Sequence, residues 1–102
     1  MPPTYNLAMV KRLTKEGKFV VTLRASMTAF GIGFDDADIV DCISNHVTFN
    51  HFYKTMPAAK RPGFMQDVYR VEYSGKRIYL KVQVDSEGRT VVVSFKADTS
   101  KP

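Results

Sequence analysis

A chain of 102 residues, 44% hydrophobic, 12% aromatic and 25% charged, has the size and composition of one globular domain, which excludes wholesale disorder. No apolar run nears the ~18 residues of a membrane span, and Cys42 is the only cysteine, so an internal disulfide framework and a thiolate zinc ribbon are excluded as well. The net charge of +5 is unevenly spread: residues 1–47 balance five Lys/Arg against five acids, so the whole surplus lies in 48–102 with four of the five tyrosines.

The start, Met1-Pro2-Pro3-Thr4-Tyr5-Asn6, has no basic region followed by an apolar stretch, so no signal peptide is read and a cytoplasmic protein is expected. Thr4 is the expected cap of a first helix over about 5–16, with Leu7, Val10 and Leu13 at near-helical spacing and Gly17 as the stop. Phe19-Val20-Val21 reads as a short extended segment. A second helix over about 23–30 ends at the breaker Gly31-Ile32-Gly33. Asp35 or Asp36 opens a third helix to about Asn45, with Ile39, Val40, Ile43 and Val47 on its buried side. Its aspartates suit the positive end of the helix dipole. Alternating oxygen ligands around a central glycine are missing, so no metal site is expected there.

From about Val47 the period changes from helical to alternating, and strands are predicted over about 49–56, 64–73, 77–85 and 89–97. Ser74-Gly75 and Ser86-Glu87-Gly88 join the last three into an antiparallel meander. Pro57 to Gly63 forms a loop with Lys60 and Arg61 at its tip, and only the tail from Asp98 to Pro102 looks loose. Helices followed by a meander give an α+β fold, the helices packed on one face of a mostly antiparallel sheet.

Alternation sorts the faces. Ile78, Leu80, Val82 and Val84 point one way, and Tyr79, Lys81 and Gln83 the other. In the last strand Val91, Val93 and Phe95 oppose Thr90, Val92, Ser94 and Lys96. The face left uncovered by helices then carries Tyr79, Lys81, Ser94 and Lys96, joined by Gln66 and Arg70 if the register allows. An uncovered antiparallel face is normally polar, but this one is rich in cations and phenol and poor in carboxylates. Such a mixture suits a polyanion whose bases stack.

No standard catalytic or metal constellation competes. His46 and His51 lack motif partners, Cys42 and His46 alone do not hold a zinc, and there is no Walker loop or dinucleotide fingerprint. No cofactor is implied.

His51-Phe52-Tyr53-Lys54-Thr55-Met56, Gln66-Asp67-Val68-Tyr69-Arg70, Ile78-Tyr79-Leu80-Lys81-Val82 and Val92-Val93-Ser94-Phe95-Lys96 together resemble the MqsR (motility quorum-sensing regulator) family of bacterial toxins. The resemblance covers about residues 50–97 and implies a RelE-like fold and a type II toxin–antitoxin system. It implies an endoribonuclease acting on free messenger RNA at GC-containing sites such as GCU, restrained by an MqsA-type antitoxin. It places the family's proposed active-site lysine, glutamine, tyrosine and lysine on Lys54, Gln66, Tyr79 and Lys96. Met65 departs from the pattern, where a large aromatic is expected. On this reading Lys54 and Lys96 neutralise the phosphorane, Gln66 holds a phosphate oxygen or base edge, and Tyr79 transfers a proton. Lys60, Arg61, Arg70 and Lys81 contact backbone phosphates and Tyr53 stacks. The rival classes are a non-catalytic RNA-binding protein and a protein-interaction module that pairs through an edge strand.

Overall fold

The computed structural model describes residues 2–99. In chain order the elements are α1 (Leu7–Lys15), β1 (Phe19–Val21), α2 (Leu23–Gly31), α3 (Asp36–Asp41), β2 (Phe52–Pro57), β3 (Met65–Tyr73), β4 (Lys76–Val84) and β5 (Thr90–Ala97). The strands form one sheet in the order β1-β5-β4-β3-β2. Every pairing is antiparallel except that of β1 with β5. The fold is therefore α+β, with the meander β3-β4-β5 at its centre.

The β3–β4 turn sets the register. Ser74 and Gly75 both have positive φ, 48° and 78°, the signature of a turn whose twist matches that of the strands it joins. One sheet face then presents Tyr69, Val71, Ile78, Leu80, Val82, Val92 and Phe95 to the helices, and these form the core with Val10, Ala25, Ala29, Ile39 and Ile43. Each large apolar side chain buried there contributes roughly 1.5–3 kcal/mol.

The helices differ from expectation at their ends. Asn6, not Thr4, caps α1, its side chain accepting from the Met9 N–H. Thr4 is claimed elsewhere: its N–H donates to Asp67 at 2.9 Å and its hydroxyl pairs with that of Thr55. Asp35 caps α3 in a reciprocal box with Asp38. The third helix does not run on uniformly to Asn45. After Asp41 it widens into a π-helical turn over Cys42–His46, closed by the Val47 N–H on the Cys42 carbonyl, so Cys42, Ile43 and Ser44 are buried in succession. Val40, expected inside, is only partly buried.

A 3-10 turn, Phe49–His51, replaces the start of the predicted strand 49–56, because the His51 imidazole accepts the Thr48 N–H. Asp98 is not loose. Its N–H donates to the Arg77 carbonyl and its carboxylate is buried; Ser100 to Pro102 of the expected loose tail lie outside the described residues.

Two bulges redirect side chains. Lys81 pairs with Ser94 but Val82 pairs with Val92, leaving Val93 as an extra residue. Thr90 and Val92 therefore enter the core at 0% and 1% exposure. Val91 and Val93, expected inward, open onto the other face. In β2, Phe52 pairs with Tyr69 and Lys54 with Val68, so Tyr53 is the extra residue.

Candidate nucleic-acid interface

The helix-free face of the sheet follows from this register. One row across it reads Lys54, Val68, Lys81 and Ser94; the next reads Arg70, Tyr79 and Lys96. Gln66 stands beyond Val68 on the same face, its Nε2 donating to Gln83 Oε1 at 2.8 Å. The bulge in β2 brings Tyr53 to this side as well, where the Arg70 guanidinium lies 4.8 Å and Lys54 Nζ 5.4 Å from its ring centre.

Helix α2 builds a wall beside β5. On the edge of β5 away from β4, Phe19–Val21 pair with it as a strand. Beyond them the Thr22 N–H donates to the Val92 carbonyl at 3.1 Å and the Thr28 hydroxyl to the Phe95 carbonyl at 2.7 Å. Ala25 and Ala29, both fully buried, let the helix approach that closely. Between this wall, the sheet and the 57–63 loop lies a concavity of about 880 Å³. Its lining holds six cations (Arg24, Lys60, Arg61, Lys81, Arg89 and Lys96) and one carboxylate, Asp85, which Arg89 engages at 2.8 Å. A cleft lined by one sign of charge focuses its field on an anionic ligand.

Among the predicted residues, Gln66, Lys60, Arg61, Lys81 and Lys96 line the concavity, and Lys54, Tyr53, Arg70 and Tyr79 stand on the sheet beside it. Arg70 is engaged within the protein, its Nε donating to Asp98 at 2.8 Å. Met65 pairs with Pro57 and, one residue before Gln66, falls on the opposite side of the strand. Arg24 and Arg89 have no role in the sequence reading. Arg24 carries no local signal, because its place depends on α2 covering the β5 edge.

Two groups on the face are electrically perturbed in opposite senses. Burial, then the nearby Tyr53 and Asp98, raise the Tyr79 phenol above its ordinary range. Burial, then Lys96 and Lys54, push the Lys81 ammonium below its own. Lys96 Nζ lies 5.1 Å and Lys81 Nζ 5.9 Å from the Tyr79 ring centre.

Elsewhere the chemistry is bland. Cys42 is buried, its thiol pushed up to about 12 by burial and Asp41, so it is inert as a nucleophile. Among the described residues no three His, Cys, Asp or Glu side chains cluster to hold a metal, and no helix is long and apolar enough to cross a membrane. A second hollow of about 470 Å³ is lined by Ser26, Met27, Phe30, Asp35 and Asp36, without a cation.

The family described as "Motility quorum-sensing regulator, toxin of MqsA" matches residues 2–97, nearly the whole chain. No curated protein matches.

Proposed function

The chain belongs to the MqsR toxin family, whose toxins have an antitoxin partner, and on that premise we propose that it is an endoribonuclease that cuts single-stranded messenger RNA. The observation that carries this reading is Tyr79, held between Lys81 and Lys96 at the edge of a cationic cleft. RNA brings its own nucleophile: the 2′-hydroxyl attacks the adjacent phosphorus and the 5′-oxygen leaves, giving a 2′,3′-cyclic phosphate and a 5′-hydroxyl. The protein has to position the chain, neutralise the phosphorane and move two protons.

Lys81, whose surroundings disfavour its charge, takes the 2′-hydroxyl proton. Tyr79, whose surroundings favour the neutral phenol, gives its proton to the leaving oxygen. The Lys81 shift enlarges the fraction of free amine near neutral pH, and the Tyr79 shift keeps the phenol protonated to higher pH. Lys54 and Lys96 supply positive charge to the equatorial oxygens. Gln66, anchored on Gln83, presents its carbonyl oxygen to a base edge. Lys60, Arg61 and Arg24 carry the flanking phosphates, and Tyr53, 45% exposed, offers a ring for stacking. GC-containing sites such as GCU are the substrate class, and an MqsA-type antitoxin is the restraining partner.

The test is incubation of purified, antitoxin-free protein with a defined single-stranded RNA bearing several GCU sites, with EDTA present and Tyr79→Phe as control. Cuts at GC-containing sites with 5′-hydroxyl ends, absent in the variant, support the reading. Salt-sensitive retention of intact RNA by folded protein would instead mark a non-catalytic RNA binder.

A further inference from the structure

A carboxylate is buried at the edge of this cationic face. Asp98, directly after β5, has its side chain 1% exposed. Its Oδ2 accepts from Arg70 Nε at 2.8 Å and lies 3.6 Å from the outer guanidinium nitrogen of Arg77. Its own N–H donates to the Arg77 carbonyl at 2.8 Å, extending the β4–β5 ladder past the Ile78–Ala97 pair. Arg70 in turn lies over the Tyr53 ring and stands opposite Tyr79 across the β3–β4 pair. A buried carboxylate is costly to hold unless its partners are fixed. As a phosphate-binding element it is counterproductive, because it repels the ligand and occupies an arginine.

We propose that Asp98 is a positioning residue for RNA cleavage: it locks Arg70 against the Tyr53 ring, so that Arg70 acts as a strut for the Tyr53–Tyr79 wall and not as a phosphate ligand. The inference rests on the endoribonuclease reading above.

The charged and titratable groups around Tyr79 come from four sources. Lys96 faces it from β5, Lys81 and Arg77 from its own strand, Arg70 from β3 and Tyr53 from β2, with Asp98 closing the end. Asp98 favours the neutral phenol. Removing its charge and removing that of Arg70 therefore act in opposite senses: Asp98→Asn eases ionisation of Tyr79, whereas Arg70→Gln leaves the carboxylate uncompensated and opposes it.

The experiment is a tyrosinate absorbance titration of the wild type, Asp98→Asn and Arg70→Gln, each with and without Tyr79→Phe so that the difference isolates Tyr79, alongside RNA cleavage kinetics. The expected result is a lower Tyr79 midpoint in Asp98→Asn and a higher one in Arg70→Gln. In both, kcat falls by about tenfold or more while KM is nearly unchanged. Unmoved midpoints, or a rise in KM with kcat retained in Arg70→Gln, overturn the proposal; the latter is the mark of a phosphate ligand. If Asp98→Asn does not fold, Arg70→Gln decides alone, since it breaks the same contact from its more exposed side. Wild-type protein that cuts no RNA overturns the endoribonuclease reading first, and this role with it; that failure is visible before any variant is compared.

Discussion

Tyr79 stands directly opposite Lys96 across the β4–β5 pair, with the ammonium 5.1 Å from the centre of the ring. The ring holds the cation near the phenol without neutralising it, as a carboxylate would. Tyr79→Phe keeps that ring contact and removes only the transferable proton. Cleavage is expected to fall by about 10²–10⁴-fold, the usual worth of a general acid, with the thermal midpoint shifted by no more than a few degrees. A variant that cuts within threefold of wild type removes Tyr79 from the chemistry.

The pH profile follows from the two opposed shifts. Lys81 acts as a base only when deprotonated, and its surroundings move that transition below the usual lysine range. Tyr79 acts as an acid only while protonated, and its surroundings move its loss above the usual tyrosine range. The rate should therefore rise with pH along a limb set by Lys81 and fall at higher pH along one set by Tyr79. Lys96→Ala removes a neighbouring positive charge, so the rising limb should move to higher pH while the maximum rate drops. A rising limb that stays in place in Lys96→Ala, measured with a short RNA across pH 6–10.5, would separate Lys81 from the base.

How far the sequence speaks depends on whether a feature is local. β4 has no insertion, so simple alternation puts Tyr79, Lys81 and Gln83 on one face and Ile78, Leu80 and Val82 on the other, where they are found. The bulges at Tyr53 and Val93 are invisible in their own strands, because an extra residue shows only against the partner's register. The N-terminal cap fails for a related reason. Thr4 and Asn6 are both competent caps, and the choice is made by Asp67, 63 residues away. Asp98 looks like the start of a polar tail until Arg70 and Arg77 are placed beside it. The α+β class and the cationic face are legible; the wall that α2 adds, with Arg24, is not.

The Val93 bulge can be tested by stability alone. If Val92 faces the core and Val93 the cleft, Val92→Ala leaves a cavity and costs about 2 kcal/mol, whereas Val93→Ala costs well under half of that. In a chain of this size the first should lower the thermal midpoint by about 10 °C. Regular alternation through β5 demands the reverse order, so equal or inverted losses would place the bulge elsewhere.

Asp67 links the two halves of the chain. It is fully buried on the core side of β3, and its two oxygens accept the backbone N–H groups of Thr4 and Tyr5 at 2.9 and 2.8 Å. The Tyr5 hydroxyl adds a bond to the Met65 carbonyl at 2.7 Å. Asp67→Ala leaves both N–H groups without their acceptor and a hole beside β3, which should cost about 2–4 kcal/mol. Amide exchange at residues 4 and 5 should rise far more than exchange in β4, because the segment detaches locally before the sheet opens. Gln66 and Val68 point to the opposite face, so cleavage per folded molecule should survive at temperatures where the variant remains folded. Protection of residues 4 and 5 equal to wild type would show that the other contacts of the segment, those of Tyr5 with Met65 and of Thr4 with Thr55, hold it and that the Asp67 bonds contribute nothing.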